Sequence, residues 1–385
     1  MISSSHGEGP NTIALFGGGR WARVLIDVLS NIVSQSTQIF WVTRHNYELA
    51  NEHVRSRGYQ RVVTRPECRL EDPSACDAAI VATSTYEHLA IVSRTVNLGI
   101  PTLCEKPVAT TMRETVQLAD DASHQGSALG VNLEFFYASY AQDFSAAISN
   151  LAIRAITFVW HDPWTELRHG ETKHPDLHTP IVHDMLPHCC SLARLMLPQC
   201  RHWSLDTLRI AADGSVHLRV RHKEIESNFF FSRRAARRVR RVQINDGEAI
   251  LDFSEEPGHS IIRGKVSQNH WRGLRPLSAA LDGFLLVARS PGSAPSWPLS
   301  VHHTLDILEL THTAADRLKE VQLSTLRKLR TECQFDADHP EASNLLLDFF
   351  LPIEAQRGIR RPARTYQQRS LAIQEALTYI DAMLN

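Results

Sequence analysis

The sequence predicts an α/β chain: a doubly wound parallel sheet, then an α+β half with a large, mostly antiparallel sheet, then a helical C-terminal extension. Three observations predict it. From Thr12 to Asn132, continuous apolar runs of the kind buried on both faces alternate with helical patterns. Beyond that the strand candidates crowd together, divided by the turn signals Asp213-Gly214 and Asp246-Gly247. From Pro276 the patterns are helical again. The expected division is a tail (1–11), a first domain (12–135), a second domain (136–320) and an extension (321–385).

The first run, Thr12-Ile13-Ala14-Leu15-Phe16, leads into Gly17-Gly18-Gly19-Arg20-Trp21-Ala22. A helical pattern follows, with Val24, Leu25, Val28 and Leu29 on one stripe. Strand, glycine turn, helix is the context that a dinucleotide fingerprint requires. Gly17 permits the tight turn, Gly19 lets the backbone approach a pyrophosphate, and Ala22 is the small residue where helix and strand pack. Arg20 and Trp21 open the helix, whose free N–H groups favour an anion. The second strand, Gln38 to Val42, ends at Thr43-Arg44-His45-Asn46. An Asp or Glu there would hold the ribose 2′-hydroxyl of NAD, and none is present. Thr43 and Arg44 offer a hydroxyl and a positive charge, which suit the 2′-phosphate of NADP, so NADP(H) is expected over NAD(H).

A helix is expected over Glu48 to Gly58, a strand over Asp77 to Thr83 running into Ser84, and a helix over Leu89 to Leu98. Pro101 to Cys104 is the next strand, Met112 to Gln125 a helix, and Leu129 to Asn132 the start of another strand. Ser139 to Leu151 reads as helical and Ala155 to Trp160 as a strand; a polar loop follows to Thr179. An amphipathic helix is expected over Ile181 to Leu197. Strand candidates then cover Thr207–Ala211, Val216–Arg221, Ser227–Ser232, Val239–Ile244 and Ala249–Phe253. Helices are expected over Pro276–Ala288 and Val301–Lys319, with a helical remainder closing in an amphipathic segment, Tyr366 to Leu384.

The 385 residues carry a net charge of −1, so nothing global points to nucleic acid or a membrane surface. No apolar run reaches the ~18 residues of a membrane span. The seven scattered cysteines read as reduced thiols of a cytoplasmic protein. The expected partner is a small-molecule substrate.

Two constellations carry chemistry. Glu105-Lys106-Pro107 follows a strand of the parallel sheet, and such sheets bind ligands at the carboxyl ends of their strands. An ammonium there can donate to a substrate oxygen beside nicotinamide. Asp184 and His188 are spaced i, i+4 and so share one helical face. The imidazole can act as acid or base near neutral pH, and the carboxylate can orient it or the substrate. A core histidine and a helix-start carboxylate are the plain alternatives.

The glycine fingerprint, Glu105-Lys106-Pro107 and Asp184-Met185-Leu186-Pro187-His188, in that order, resemble the Gfo/Idh/MocA oxidoreductase family over roughly the first 320 residues. The resemblance implies a Rossmann domain and NAD(P)-dependent hydride transfer to or from a secondary alcohol or ketone of a sugar, cyclitol or similar metabolite. In it, Lys106 and His188 would flank the carbinol carbon, His188 would relay the proton and Asp184 would position. Thr83, Ser84, His88 and Glu105 fall at cofactor positions, although relatives often have proline where Ser84 stands. Asn132 and Tyr137 are weaker substrate candidates, as is His183, which adjoins the motif on another face; His161, His169, His174 and His178 are weaker still. Glu134 stands where relatives often carry Arg, which leaves the substrate's charge open. The histidine spacings form no compact metal set, and hydride transfer needs none.

Arg233, Arg234, Arg237, Arg238, Arg240 and Arg241 read as a solvated sheet edge, with an anion site as the alternative. Phe229-Phe230-Phe231 reads as core or subunit interface, and the resemblance implies a homodimer or homotetramer through the C-terminal sheet. Two other functions stay open: an NADPH-dependent imine (or other C=N/C=C) reductase of siderophore or natural-product assembly, and a non-enzymatic NADP-sensing regulator. The oxidoreductase reading expects the ammonium at 106 and the imidazole at 188 to converge on one nicotinamide.

Overall fold

Ile13, Ala14, Leu15 and Phe16 are all buried, which makes their segment an inner strand of a sheet covered on both faces. The computed structural model describes residues 10–66, 76–168, 170–211, 213–290, 296–332 and 340–356. Its first elements are β1 (Thr12–Phe16), α1 (Arg20–Ile32), β2 (Gln38–Thr43), α2 (Tyr47–Arg57), β3 (Val62–Pro66) and β4 (Ala78–Val81). Then come α3 (Thr85–Asn97), β5 (Thr102–Cys104), α4 (Met112–His124) and β6 (Leu129–Val131), followed by a 3-10 turn over Glu134–Tyr137. The six strands form one parallel sheet in the order β3-β2-β1-β4-β5-β6. The order reverses between β1 and β4, and a ligand crevice opens at such a switch point. The helices stop and start where local chemistry dictates. Thr111 and Glu114 cap α4 reciprocally, and Gly58 closes α2 with φ of 68°. Strand β3 was absent from the expected set. It lies at the sheet edge, half-buried, and contains Arg65 and Pro66, so it lacks a buried strand's apolar run.

The chain continues through α5 (Ser139–Ala147), β7 (Ala155–Pro163), β8 (Glu166–Arg168), β9 (Glu171–Lys173) and α6 (Ile181–Met196). Strands β10 (Ser204–Ile210), β11 (Val216–His222), β12 (Ile225–Ala235), β13 (Val239–Ile244), β14 (Ala249–Asp252), β15 (His259–Ile262) and β16 (Lys265–Gln268) follow. Helices α7 (Pro276–Arg289), α8 (Val301–Glu332) and α9 (Pro340–Gln356) end the described chain. The eight-stranded sheet runs β10-β11-β12-β7-β13-β14-β15-β16, antiparallel except where β12 meets β7. Strands β15 and β16 escaped the sequence because they are short and β16 is exposed throughout. The tail before residue 10 and the segment Tyr366–Leu384 lie outside the described residues.

Contacts divide the chain into two compact units, one holding the chain up to Gln142 with Trp271–Leu308, the other Asp143–His270 with the chain from Glu309. The division differs from the continuous spans expected, because residues 271–308 return to the first unit. There α7 packs on α1 and on the 3-10 turn, Trp297 lies where a side chain at Gly130 would stand, and Val131 N–H donates to the Leu299 carbonyl at 2.8 Å.

In the second unit α6 packs on β12 and β7 over a core that includes Phe158, Phe229, Phe231 and Val242, with Phe158 and Phe229 stacked at 5.1 Å. The helix was expected to be amphipathic, but it is buried almost all round. The arginine cluster is a correction as well. Arg240 is 2% exposed and Arg233 is buried too, so neither lies on a solvated edge. Each buried guanidinium has a carboxylate: Asp162 for Arg240 and Asp184 for Arg233. Arg234, Arg238 and Arg241 pair with Asp348, Glu166 and Asp252. Arg240 also donates to the His161 carbonyl at 2.7 Å and lies 4.0 Å from the centre of the Trp160 ring.

Burial raises the Asp162 carboxyl, and the Arg240 guanidinium lowers it further, to a net value below the usual carboxylate range. A carboxyl so lowered adds stability above its unfolded pKa of about 3.9, and that stability is lost as the pH falls through the folded value. Asp162→Asn is therefore expected to cost about 3 kcal/mol at pH 7, since it strands a buried cation. Urea unfolding of both proteins should show the gap closing as the pH drops below the folded value.

Candidate active site

The glycine turn is held from three sides. Gly17 has φ of +142°, and a Cβ there would run into the Ala82 carbonyl at the end of β4. Its N–H donates to the Val42 carbonyl at 2.9 Å, and its own carbonyl accepts from Trp41 Nε1 at 2.6 Å. A side chain at Gly18 would meet the Thr43 hydroxyl, and the Gly18 carbonyl accepts from Asn46 Nδ2 at 2.8 Å. Gly19 is the opposite case: nothing stands within 4 Å of where its Cβ would be. It caps α1 with no side-chain bond, so no side chain at the cap competes for the first N–H groups of the helix. Ala22 is fully buried at the helix–strand contact. This cradle fits a dinucleotide pyrophosphate. Trp41 and Asn46 hold the carbonyls of the turn, and the sequence reading gave neither this place; Asn46, two residues past Arg44, was legible only as a strand-end polar residue.

Thr43 is buried at the end of β2, while Arg44 is largely exposed and paired with Glu87 of α3 at 3.2 Å. Glu87 also accepts from Ser84 Oγ at 3.2 Å. The fold thus supplies a carboxylate beside the end of β2 from a separate helix, where the local sequence had none. Thr83 and Ser84 follow β4, and the Thr83 carbonyl lies 3.3 Å from His88 Nε2. His88 Nδ1 sits 2.7 Å from the Pro107 carbonyl. The buried imidazole therefore ties the end of β4 to the Glu105-Lys106-Pro107 loop.

That loop follows β5 and has a second anchor. Glu105 Oε1 accepts from Trp21 Nε1 and from Asn132 Nδ2, both at 2.6 Å. Burial pushes the Glu105 carboxyl up, although both donors and the neighbouring Lys106 charge pull it back. Trp21, a fingerprint residue, thus reaches the loop that carries Lys106, and Asn132 reaches it from the end of β6. The buried Asn132 Oδ1 has no hydrogen-bond partner, an acceptor open to a bound donor. Lys106 is half-buried between half-buried Glu105 and buried Pro107, and its peptide bond to Pro107 is cis. Tyr137 packs on α7 at Gly283, inside the first unit, and burial raises its hydroxyl pKa.

In the second unit, the only α6 residues short of full burial are Ile181, Asp184, His188 and Leu195. These spacings of 3, 4 and 7 place them on one stripe. Asp184 and His188 are thus the polar groups that α6 offers. Trp160 of β7 stacks flat on the His188 ring, centroids 5.4 Å apart and planes 9° apart. Arg233 Nη2 lies 3.2 Å from Asp184 Oδ2. Neither Trp160 nor Arg233 was singled out for this role from sequence; each comes from a strand remote in the chain. His183 lies off the stripe and meets His312 of α8 edge-on at 5.1 Å. His161 is lowered by burial and by Arg240, and His169 lies outside the described residues.

Comparison with known proteins adds a family likeness for the first part of the chain. Residues 12–133 match the model of an oxidoreductase family with an NAD-binding Rossmann fold, Gfo/Idh/MocA. That segment is similar to the NAD-binding domain of this family and makes up about a third of the chain. A myo-inositol dehydrogenase of this kind, Hyg17 of Streptomyces leeuwenhoekii, is 33% identical over 116 residues. That match takes in 28% of this chain and only 35% of the dehydrogenase. The UDP-N-acetylglucosamine 3-dehydrogenase GnnA of Acidithiobacillus ferrooxidans superposes with a TM-score of 0.63 at 17% identity, covering 80% of this chain and 98% of its own. KijD10, a 3-ketoreductase of Actinomadura kijaniata solved with NADP, gives 0.63 at 15% identity, covering 80% and 97%. At such identities these two likenesses show a shared fold. Among the described residues, no helix is long and apolar enough to cross a membrane.

Gly17→Ala should destroy the cradle, because it combines a left-handed φ with a collision against backbone. NADPH binding followed by fluorescence is expected to weaken at least about tenfold, with a lowered melting temperature, whereas Gly58→Ala, also at positive φ but in open space, should lower only the melting temperature.

Proposed function

We propose that the protein is an NADP(H)-preferring oxidoreductase that moves a hydride between nicotinamide and a secondary alcohol or ketone of a sugar, cyclitol or sugar-like metabolite. The observation that carries the reading is the α6 stripe: a helix otherwise buried all round keeps Asp184 and His188 accessible. A core helix has no physical reason to leave a carboxylate and an imidazole as its accessible polar groups. Lys106, on a loop anchored by Glu105 and His88, supports the same reading.

The bound cofactor would supply the hydride donor or acceptor. Gly17, Gly19, Arg20, Trp21 and Ala22 would hold its pyrophosphate end, with Thr43 and Arg44 at the ribose. Lys106 would donate a hydrogen bond to the substrate oxygen and lower the cost of charge on it. His188, its ring plane set by Trp160, would take or return the hydroxyl proton through a ring nitrogen. Asp184, held by Arg233, would orient the substrate hydroxyls or the imidazole. The names of the relatives, an inositol dehydrogenase, a UDP-sugar 3-dehydrogenase and a 3-ketoreductase, support a carbon–oxygen centre on a polyol.

The eight-stranded sheet is the proposed homo-oligomer contact, since Val159, Phe230, Ile250 and Ile261 share one of its faces and are only half-buried.

Lys106→Met and His188→Ala are each expected to lower kcat by about 100-fold or more with an accepted sugar or cyclitol, with NADPH affinity unchanged. Turnover left intact by both would reject these roles. Arg44→Ala should weaken NADPH binding about tenfold and leave NADH binding alone, as the loss of a charge-assisted phosphate contact requires. Equal losses for the two cofactors would reject the NADP preference.

A further inference from the structure

Strand β12 does not end regularly. Ser232 pairs with His161 of β7 and Ala235 with Pro163, so Arg233 and Arg234 both stand opposite Asp162. This is a β-bulge, an irregularity that re-aims side chains. From it two guanidiniums leave for different helices. Arg233 reaches the start of α6, where it donates to the Thr179 carbonyl at 2.8 Å and meets Asp184 at 3.2 Å. Arg234 reaches α9 and grips Asp348 with two parallel bonds, Nη1 to Oδ2 at 2.6 Å and Nη2 to Oδ1 at 2.9 Å. The fork is well shielded, its side chains 14% and 22% exposed, and forked pairs of this kind are the strong, directional ones. Helix α9 also packs Leu347 and Leu351 on Leu177, in the segment that leads into α6. It therefore holds both sides of the entry to that helix, the bulge and the preceding loop.

We propose that Asp348 of α9 is a positioning residue for the candidate substrate site, acting through Arg234 and the shared bulge on Arg233 and so on Asp184. This rests on the reading of Asp184 as a site residue. Arg233 is itself 3% exposed on its side chain and cannot meet a substrate, so its contribution passes through the Asp184 carboxylate, which is 36% exposed. Without Asp348, the Arg234 guanidinium keeps its burial and loses its carboxylate. The bulge must then shift to hydrate it, and Arg233 stands on the same bulge. The C-terminal helix is thereby part of the substrate half rather than an appendage.

The test uses the full-length protein, with NADPH for binding and exchange and NADP+ as oxidant for turnover, and compares wild type, Asp348→Ala, Asp348→Glu and the swapped pair Arg234→Asp with Asp348→Arg. Amide hydrogen exchange is read over 176–188, 340–356 and 12–57. Asp348→Ala should speed exchange over 176–188 about tenfold or more and leave 12–57 and NADPH affinity unchanged. It should also lower kcat with whichever of myo-inositol and UDP-N-acetylglucosamine the wild type oxidises. Asp348→Glu should restore the 176–188 signal, and the swapped pair should restore it in part. Faster exchange confined to 340–356, or an unchanged kcat with normal turnover, overturns the proposal. If wild type oxidises neither probe, exchange over 176–188 still decides whether the clamp reaches Asp184, while the broader functional reading is judged separately by the Lys106 and His188 variants.

Discussion

One carbonyl, that of Ala82, leaves no room for a side chain at Gly17, and the first unit is arranged around that constraint. Because the chain can turn there, α1 begins beside the switch point of the sheet and Trp21 falls within reach of Glu105. Glu105 in turn takes the Asn132 amide, so the glycine turn, the loop after β5 and the end of β6 share one carboxylate oxygen. His88 ties the same loop to the end of β4. The segment bearing Lys106 is thus fixed by buried hydrogen bonds from three neighbouring strand ends. Burial works against the Glu105 charge, and the two short N–H bonds, the adjacent ammonium and the Lys106 backbone N–H offset it in part.

The second unit solves a different problem. Its helix α6 is enclosed on nearly every side, and enclosed helices are normally apolar all round. Where α6 is polar, strands supply what the polar groups need: Arg233 for Asp184 and the Trp160 face for His188. Buried guanidiniums would be costly alone, and those of Arg233 and Arg240 each have their own carboxylate. What looks in the sequence like a run of surface charge is a set of separate ion pairs. They join β12 and β13 to β7, α6 and α9. Helix α9 enters this set through Asp348, which connects the end of the described chain to the candidate site.

Local chemistry made much of this legible in advance. Continuous apolar runs mark strands buried on both faces, and the Gly17–Ala22 segment marks the turn between β1 and α1 whatever lies elsewhere. The i, i+4 spacing of Asp184 and His188 was sufficient to place them on one face, because a helix has a single period. Strands without a buried face, such as β3 and β16, carried no such signal. Nor did Trp41 or Asn46, whose side chains act on backbone carbonyls that only the folded sheet brings near.

The sequence by itself determined the α/β class, the glycine turn and the pairing of Asp184 with His188, because each depends on residues within a few positions of one another. Only the tertiary structure decided that Glu87 meets Arg44, that Arg233 and Arg240 are interior charges, that residues 271–308 return to the first unit, and that Asp348 grips Arg234. Those contacts join side chains tens to hundreds of positions apart. Their partners are chosen by which strands pair and which helices cover them, and no local pattern of charge or hydropathy encodes that choice.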